Sequence, residues 1–178
     1  MDEEERLLLL RPTEAYISQV EDYRREFLEY GGSMDGAGAL RRCGSGQEWL
    51  DHVEQYSRPE TLPEGKVLST QFILVREADD RLLGMLQLRH YLNEYLAKIA
   101  GHIGYSVRPS ERRRGYARRM LAMALPEARA LGLERVMISC SVDNEGSRRT
   151  ILANGGVFDS TVWDEEDGEM LERYWITL

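Results

Sequence analysis

The segment Val107-Arg108-Pro109-Ser110-Glu111-Arg112-Arg113-Arg114-Gly115-Tyr116-Ala117 constrains the fold of this chain more than any other. It follows a strand-like run, Ile99–Val107, and opens a helix-like one, Gly115–Leu131. A strand that turns through a basic, glycine-containing loop into a helix collects free backbone N–H groups and the positive end of a helix dipole in one place. Gly115 leaves the backbone open to close approach, and Arg112, Arg113 and Arg114 add charge and directional donors. Such a corner suits a phosphate or pyrophosphate. The plainer alternative is a solvated arginine face.

Periodicity predicts strands alternating with helices around this corner. A first strand spans Arg6–Arg11 and stops at Pro12; Thr13 then caps a helix that runs to Tyr30. Gly31–Gly46 contains six glycines and reads as a mobile loop. A short helix, Gln47–Tyr56, precedes a hairpin of Thr70–Arg76 and Leu82–Leu92, and Asn93–Lys98 makes a polar crossing into the strand Ile99–Val107. The helix Tyr116–Leu131 ends at Gly132 as a C-cap, with Pro126 predicting a kink near Ala122–Pro126. Arg135–Ser141 reads as a strand, Asn144–Asn154 as a helix, and Val157–Trp163 and Met170–Thr177 as the last two strands. Strands and helices in this order indicate a mixed α/β sheet.

Composition narrows the partners. A length of 178 residues fits one domain, 1–178, with room for a core that needs no disulfide or metal. The net charge of −8 argues against general nucleic-acid binding, while Arg108, Arg112, Arg113, Arg114, Arg118 and Arg119 concentrate positive charge in one place. That asymmetry favours a local anionic ligand. Cys43 and Cys140 form no metal-binding or disulfide pattern, and no apolar run approaches the roughly 20 residues of a membrane span. A cytoplasmic protein without membrane attachment is expected.

At these residues the chain resembles the GNAT N-acetyltransferase superfamily. Arg112-x-x-Gly115-x-Ala117 is similar to its (Gln/Arg)-x-x-Gly-x-(Gly/Ala) signature, which holds the pyrophosphate of acetyl-CoA. Gly104-Tyr105-x-Val107-x-Pro109 resembles the family's fourth strand, and Asn144-x-x-Ser147 with Gly155-Gly156-x-Phe158 its later asparagine-helix-glycine segment. Arg89-His90-Tyr91-Leu92-Asn93-Glu94-Tyr95-Leu96 and Gly101-His102-Ile103-Gly104-Tyr105 are similar to a bacterial subgroup of predicted acetyltransferases. The resemblance implies the α/β GNAT fold: a mixed, mostly antiparallel sheet of six to seven strands, flanked by helices and splayed between the fourth and fifth strands. It implies acetyl-CoA as co-substrate, no metal, direct transfer to a primary amine on a small molecule or peptide, and compatibility with a homodimer. An acyl-CoA-binding sensor or interaction module of the same fold is the alternative.

By the same resemblance, the cofactor is expected at the Val107 backbone, whose N–H would polarise the acetyl carbonyl, at Arg112, Arg113, Arg114, Gly115, Tyr116 and Ala117, and at Asn144 and Ser147. Asn144 reads equally as the N-cap of the helix it precedes. Many family members carry a tyrosine seven residues after the asparagine as general acid; Ile151 stands there in this chain. Tyr105 is a candidate in its place, alongside Tyr116 and Tyr174. His102 is a candidate base, and a buried histidine bonded to backbone is its alternative. His90 and Glu94 are candidates for the acceptor pocket, Glu94 for catalysis as well.

Overall fold

The computed structural model describes residues 4–178. The four-leucine run forms strand β1 (Leu7–Leu10), and helix α1 (Ile17–Tyr30) and helix α2 (Gly46–Gln55) follow. Next come β2 (Ser69–Arg76), β3 (Arg81–Arg89), β4 (Ile103–Val107), α3 (Tyr116–Ala130), β5 (Arg135–Ser141), α4 (Glu145–Ala153), β6 (Val157–Asp164) and β7 (Glu169–Thr177). They build two sheets, ordered β1-β2-β3-β4 and β5-β7-β6, and every ladder within them is antiparallel.

Both faces of the first sheet are covered, so its inner strands are apolar on alternate residues of both sets. Phe72 and Leu74 of β2 face one core with Met120, Leu121, Ala124 and Ala128 of α3 and with Val136, Ile138, Tyr174 and Ile176 of the second sheet. Ile73 and Val75 face the other core, with Val20, Tyr23 and Phe27 of α1 and Trp49 of α2. The α3 residues recur at the three- and four-residue spacing of a helix face, which joins the two sheets through one apolar layer. Trp49 is buried and its indole N–H donates to the Ala37 carbonyl at 2.7 Å. Truncating it to alanine is a change of the kind that costs about 3–5 kcal/mol.

Several boundaries differ from the expected ones for identifiable reasons. Thr13 makes no side-chain cap; a single 3-10 turn, Glu14–Tyr16, intervenes before α1. The Gly31–Gly46 segment is packed rather than loose, because Met34, Ala37, Ala39, Leu40 and Cys43 between its glycines are buried against α1 and Trp49. The polar crossing 93–98 is a helical turn in part: Asn93 Oδ1 accepts the Leu96 N–H at 2.9 Å, Leu96 and Ile99 are buried, and the strand begins only at Ile103. Helix α3, by contrast, continues through Pro126 and closes at Gly132 as expected, with a φ of 86° at that glycine. Among the described residues, no helix is long and apolar enough to cross a membrane.

Candidate active site

The site is built on one edge of β4. In the β3–β4 ladder, the Arg108 N–H donates to Leu83 and the Arg89 N–H to the His102 carbonyl, at 2.9 and 2.7 Å. With Val107 opposite Gly84 and Ile103 opposite Leu88, alternation turns the N–H groups of Gly104, Ser106 and Arg108 towards β3. Those of Tyr105 and Val107 point the other way. No ladder joins β4 to β5, so they face the gap between the two sheets.

That gap is pinned at one end only. Gly101 bridges Ile138, the His102 N–H donates to the Met137 carbonyl at 2.8 Å, and the Met137 N–H donates to His102 Nδ1 at 2.9 Å. From there to Val107 no bridge joins the two strands. The far wall is α4, where Asn144 Oδ1 caps the helix by accepting the Ser147 N–H at 3.0 Å. The Tyr105 phenol meets Ser147 Oγ at 2.8 Å across the gap. Burial pushes the Tyr105 phenol up and the neighbouring Cys140 thiol up to about 11, so both are protonated at neutral pH.

The basic loop closes the open end. Arg113 (φ 64°) and Gly115 (φ 80°) both adopt left-handed backbone, and Gly115 serves as the N-cap of α3. A Cβ on Gly115 would meet nothing within 4 Å, so the turn is open outward. The first bond of the helix is Arg119 N–H to Gly115, leaving the N–H groups of Tyr116, Ala117 and Arg118 without intrahelical partners. Beneath the loop, buried Glu111 pairs with Arg81 at 2.6 Å and with Arg76 and Arg114 at 3.4 Å. Arg112 is tied inward: its Nε donates to the Val107 carbonyl at 3.1 Å, and its guanidinium lies over the Phe27 and Tyr30 rings at 5.4 and 5.3 Å. The Tyr116 hydroxyl is likewise anchored, to Glu5 at 3.0 Å, so only its backbone faces outward.

Residues 46–155 match the acetyltransferase (GNAT) family. The chain belongs to that family. Solved structures of the same fold include a ribosomal-protein-S5-alanine acetyltransferase from Vibrio fischeri, 17% identical over 98% of this chain and 94% of that one, with a TM-score of 0.72. RimL, a ribosomal L7/L12 α-N-protein acetyltransferase in complex with CoA, is 18% identical over 97% and 94%, with a TM-score of 0.71. A dodecameric spermidine N-acetyltransferase from Vibrio cholerae is 14% identical over 96% and 93%, with a TM-score of 0.65. No curated protein sequence matches the chain.

In this GNAT protein the expected cofactor residues Val107, Arg112–Ala117, Asn144 and Ser147 surround one gap, with Tyr105 beside them. The other candidates lie elsewhere. His102 sits at the closed vertex; burial, and then the charge of Arg89, lower its pKa to about 4. A neutral imidazole whose Nδ1 is already accepting a backbone N–H fits the alternative reading, a buried histidine bonded to backbone. His90 Nε2 pairs with Thr70 Oγ1 at 2.8 Å, and burial lowers its basicity too. Glu94 is exposed on the helical turn before β4. Sequence reasoning assigned no role to Glu111, Met137 or Arg89, although Arg89 stands in a segment that carried the family resemblance.

Proposed function

We propose that this protein transfers the acetyl group of acetyl-CoA to a primary amine by direct attack in a ternary complex. The observation that carries the reading is the free inner edge of β4 running straight into the outward-facing N–H groups at the start of α3. In this reading Arg113–Ala117 hold the pyrophosphate through backbone donors and the helix dipole. Arg114 adds charge, and Arg112 braces the loop against Val107 and α1. The pantetheine lies in the gap, bordered by Asn144 and Ser147. The Val107 N–H donates to the thioester carbonyl oxygen, which gains negative charge as the amine lone pair attacks.

Collapse of the tetrahedral intermediate breaks the C–S bond and leaves a thiolate. Tyr105 donates the proton it needs and is reprotonated through Ser147 and solvent. A phenol kept protonated by burial suits that role, and its place on β4 substitutes for the tyrosine that Ile151 replaces on α4. His102 is assigned a structural role, and the amine proton passes to solvent at the open mouth of the gap. The acceptor is a small molecule or peptide amine, taken up by 1–178 acting as a single cytoplasmic domain. A homodimer is supported by exposed Val157, Phe158 and Trp163 along edge strand β6.

Calorimetric titration with acetyl-CoA tests the reading. The wild-type protein is expected to bind, and amine-dependent release of CoA is expected to follow. Absence of binding by the folded protein overturns it; binding without turnover across a broad amine panel favours the sensor alternative.

A further inference from the structure

The face of the first sheet that carries α1 and α2 changes character along its length. Near α1 it is apolar, with Ile73, Val75 and Met85 packed against Val20, Tyr23 and Phe27. Towards the pinned end of the gap it becomes polar. Register sets Ser69 opposite Arg89, Gln71 opposite Gln87, and Gln87 opposite Gly104. Directly opposed residues share a face, as do alternate residues along a strand, so these five form one patch. Gly36 of the α1–α2 segment roofs it: the Gln71 amide donates to the Gly36 carbonyl at 2.6 Å, and a Cβ on Gly104 would stand 3.2 Å from the Gly36 nitrogen.

Arg89 is the one charge in this patch. Its side chain is half-buried, and its Nη1 donates to the carbonyls of Ala100 and Gly101 at 3.3 and 3.1 Å. Its Nη2 lies 3.7 Å from the Cβ position of Gly104, against β4. Three other inward-facing arginines are matched with carboxylates, Arg108 with Glu26 at 2.8 Å, Arg76 with Asp79 at 2.7 Å and Arg148 with Glu172 at 2.8 Å, while Arg112 has the Val107 carbonyl and the Phe27 and Tyr30 rings instead. Among the described residues no carboxylate comes within 4.0 Å of Arg89. Asp35 and Tyr95 face it from farther off, and burial outweighs them, holding its basicity below the usual arginine value. A guanidinium does not shed its charge under physiological conditions, so its free donors are satisfied best by an anion from outside.

We propose that Arg89 anchors the acceptor, and that the amine acetylated by this protein carries a carboxylate which pairs with the Arg89 guanidinium. The inference rests on the acetyltransferase reading above and names its substrate class. Gly104, beside the guanidinium, is three residues from Val107, or about 10 Å along an extended strand. The carboxylate and the reacting amine therefore fit within one amino acid or a very short peptide. A polyamine, which has no anion, would place like charge against Arg89.

The test uses matched acceptors that differ only in the anion: amino acids, the corresponding carboxamides, and spermidine as a cationic control. Rates of CoA release are measured with the wild type, Arg89→Gln and Arg89→Lys, and acetyl-CoA binding is measured in parallel. The wild type is expected to favour a carboxylate acceptor over its amide by about tenfold to a hundredfold in kcat/KM, the size of a lost charge-assisted hydrogen bond. Arg89→Gln should abolish that preference and leave acetyl-CoA affinity unchanged. Arg89→Lys, which keeps the charge and the apolar stem, should retain part of it and guards against a folding defect in the first variant. Failure of the wild type to turn over any carboxylate-bearing amine, or equal rates for acid and amide, overturns the proposal while acetyl-CoA still binds. Loss of acetyl-CoA binding by the wild type would instead remove the acetyltransferase reading beneath it.

Discussion

His102 and Met137 hold each other by two hydrogen bonds, imidazole Nδ1 accepting the Met137 N–H at 2.9 Å and the Met137 carbonyl accepting the His102 N–H at 2.8 Å. This double contact ties β4 to β5 at the narrow end of the gap. It also requires the imidazole to be neutral at Nδ1, so proton binding and sheet closure oppose each other.

That opposition makes stability depend on acid. Unfolded, an imidazole titrates near 6.5; in the folded protein burial lowers His102 to about 4. Between these values the unfolded chain binds more protons, so stability is lost as pH falls from about 6.5 towards 4 and is flat with respect to this group above it. The full difference is about 3 kcal/mol. Denaturant midpoints at pH 7 and pH 4.5 check this: His102→Ala should lower stability at pH 7 by about 1–3 kcal/mol, by leaving the Met137 N–H without its acceptor, and flatten the acid dependence. An unchanged acid slope would remove His102 as its source.

Gly115→Glu should abolish acetyl-CoA binding. A Cβ at this position meets no protein atom within 4 Å, so the side chain leaves the backbone into open space, and the left-handed backbone costs about 1 kcal/mol. Its carboxylate, however, occupies the approach to the first N–H groups of α3. Calorimetry should show at least a hundredfold weaker binding with a melting temperature within a few degrees of wild type. Wild-type affinity in the variant would take the loop out of the site.

Tyr105→Phe separates chemistry from binding. The ring remains packed beside Cys140 and α4, while the contact with Ser147 Oγ is lost. We expect kcat to fall about tenfold to a hundredfold with KM for acetyl-CoA nearly unchanged, since an acid contributes little to binding. A kcat equal to wild type would assign the proton to water.

Gly36→Ala tests the roof of the acceptor patch. A Cβ there would lie against the Gly104 carbonyl oxygen, and φ is +72°. Strain and overlap together should cost about 2 kcal/mol or more, lowering the melting temperature by about 4–8 °C. Acceptor KM should rise more than acetyl-CoA KM. A variant that melts like wild type would show that the 31–45 segment does not depend on this close approach.

The strand, basic loop and helix around Val107–Ala117 were legible because each step is local. Gly115 accepts left-handed backbone, the helix that follows exposes its own first N–H groups, and the alternation of β4 follows from its pleat. Asn144 was legible as a cap for the same reason. The glycine-rich 31–46 segment misled: its composition speaks for looseness, while Met34, Leu40 and Cys43 find burial only because α1 and Trp49 come to meet them. His102 was ambiguous because the sequence contains no sign that Met137, 35 residues away, would supply its partner.

The amino-acid sequence alone therefore determined the order of elements, the family and the basic loop that opens α3, each carried by segments of residues within a turn or a strand of one another. The tertiary structure decided which side chains are free. Whether His102 is bound to backbone, whether Tyr105 reaches Ser147, and whether Arg89 finds a carboxylate depend on which distant segments pack together. A hydrogen bond or ion pair is made or missed over about an ångström, and only the packed chain sets distances that fine.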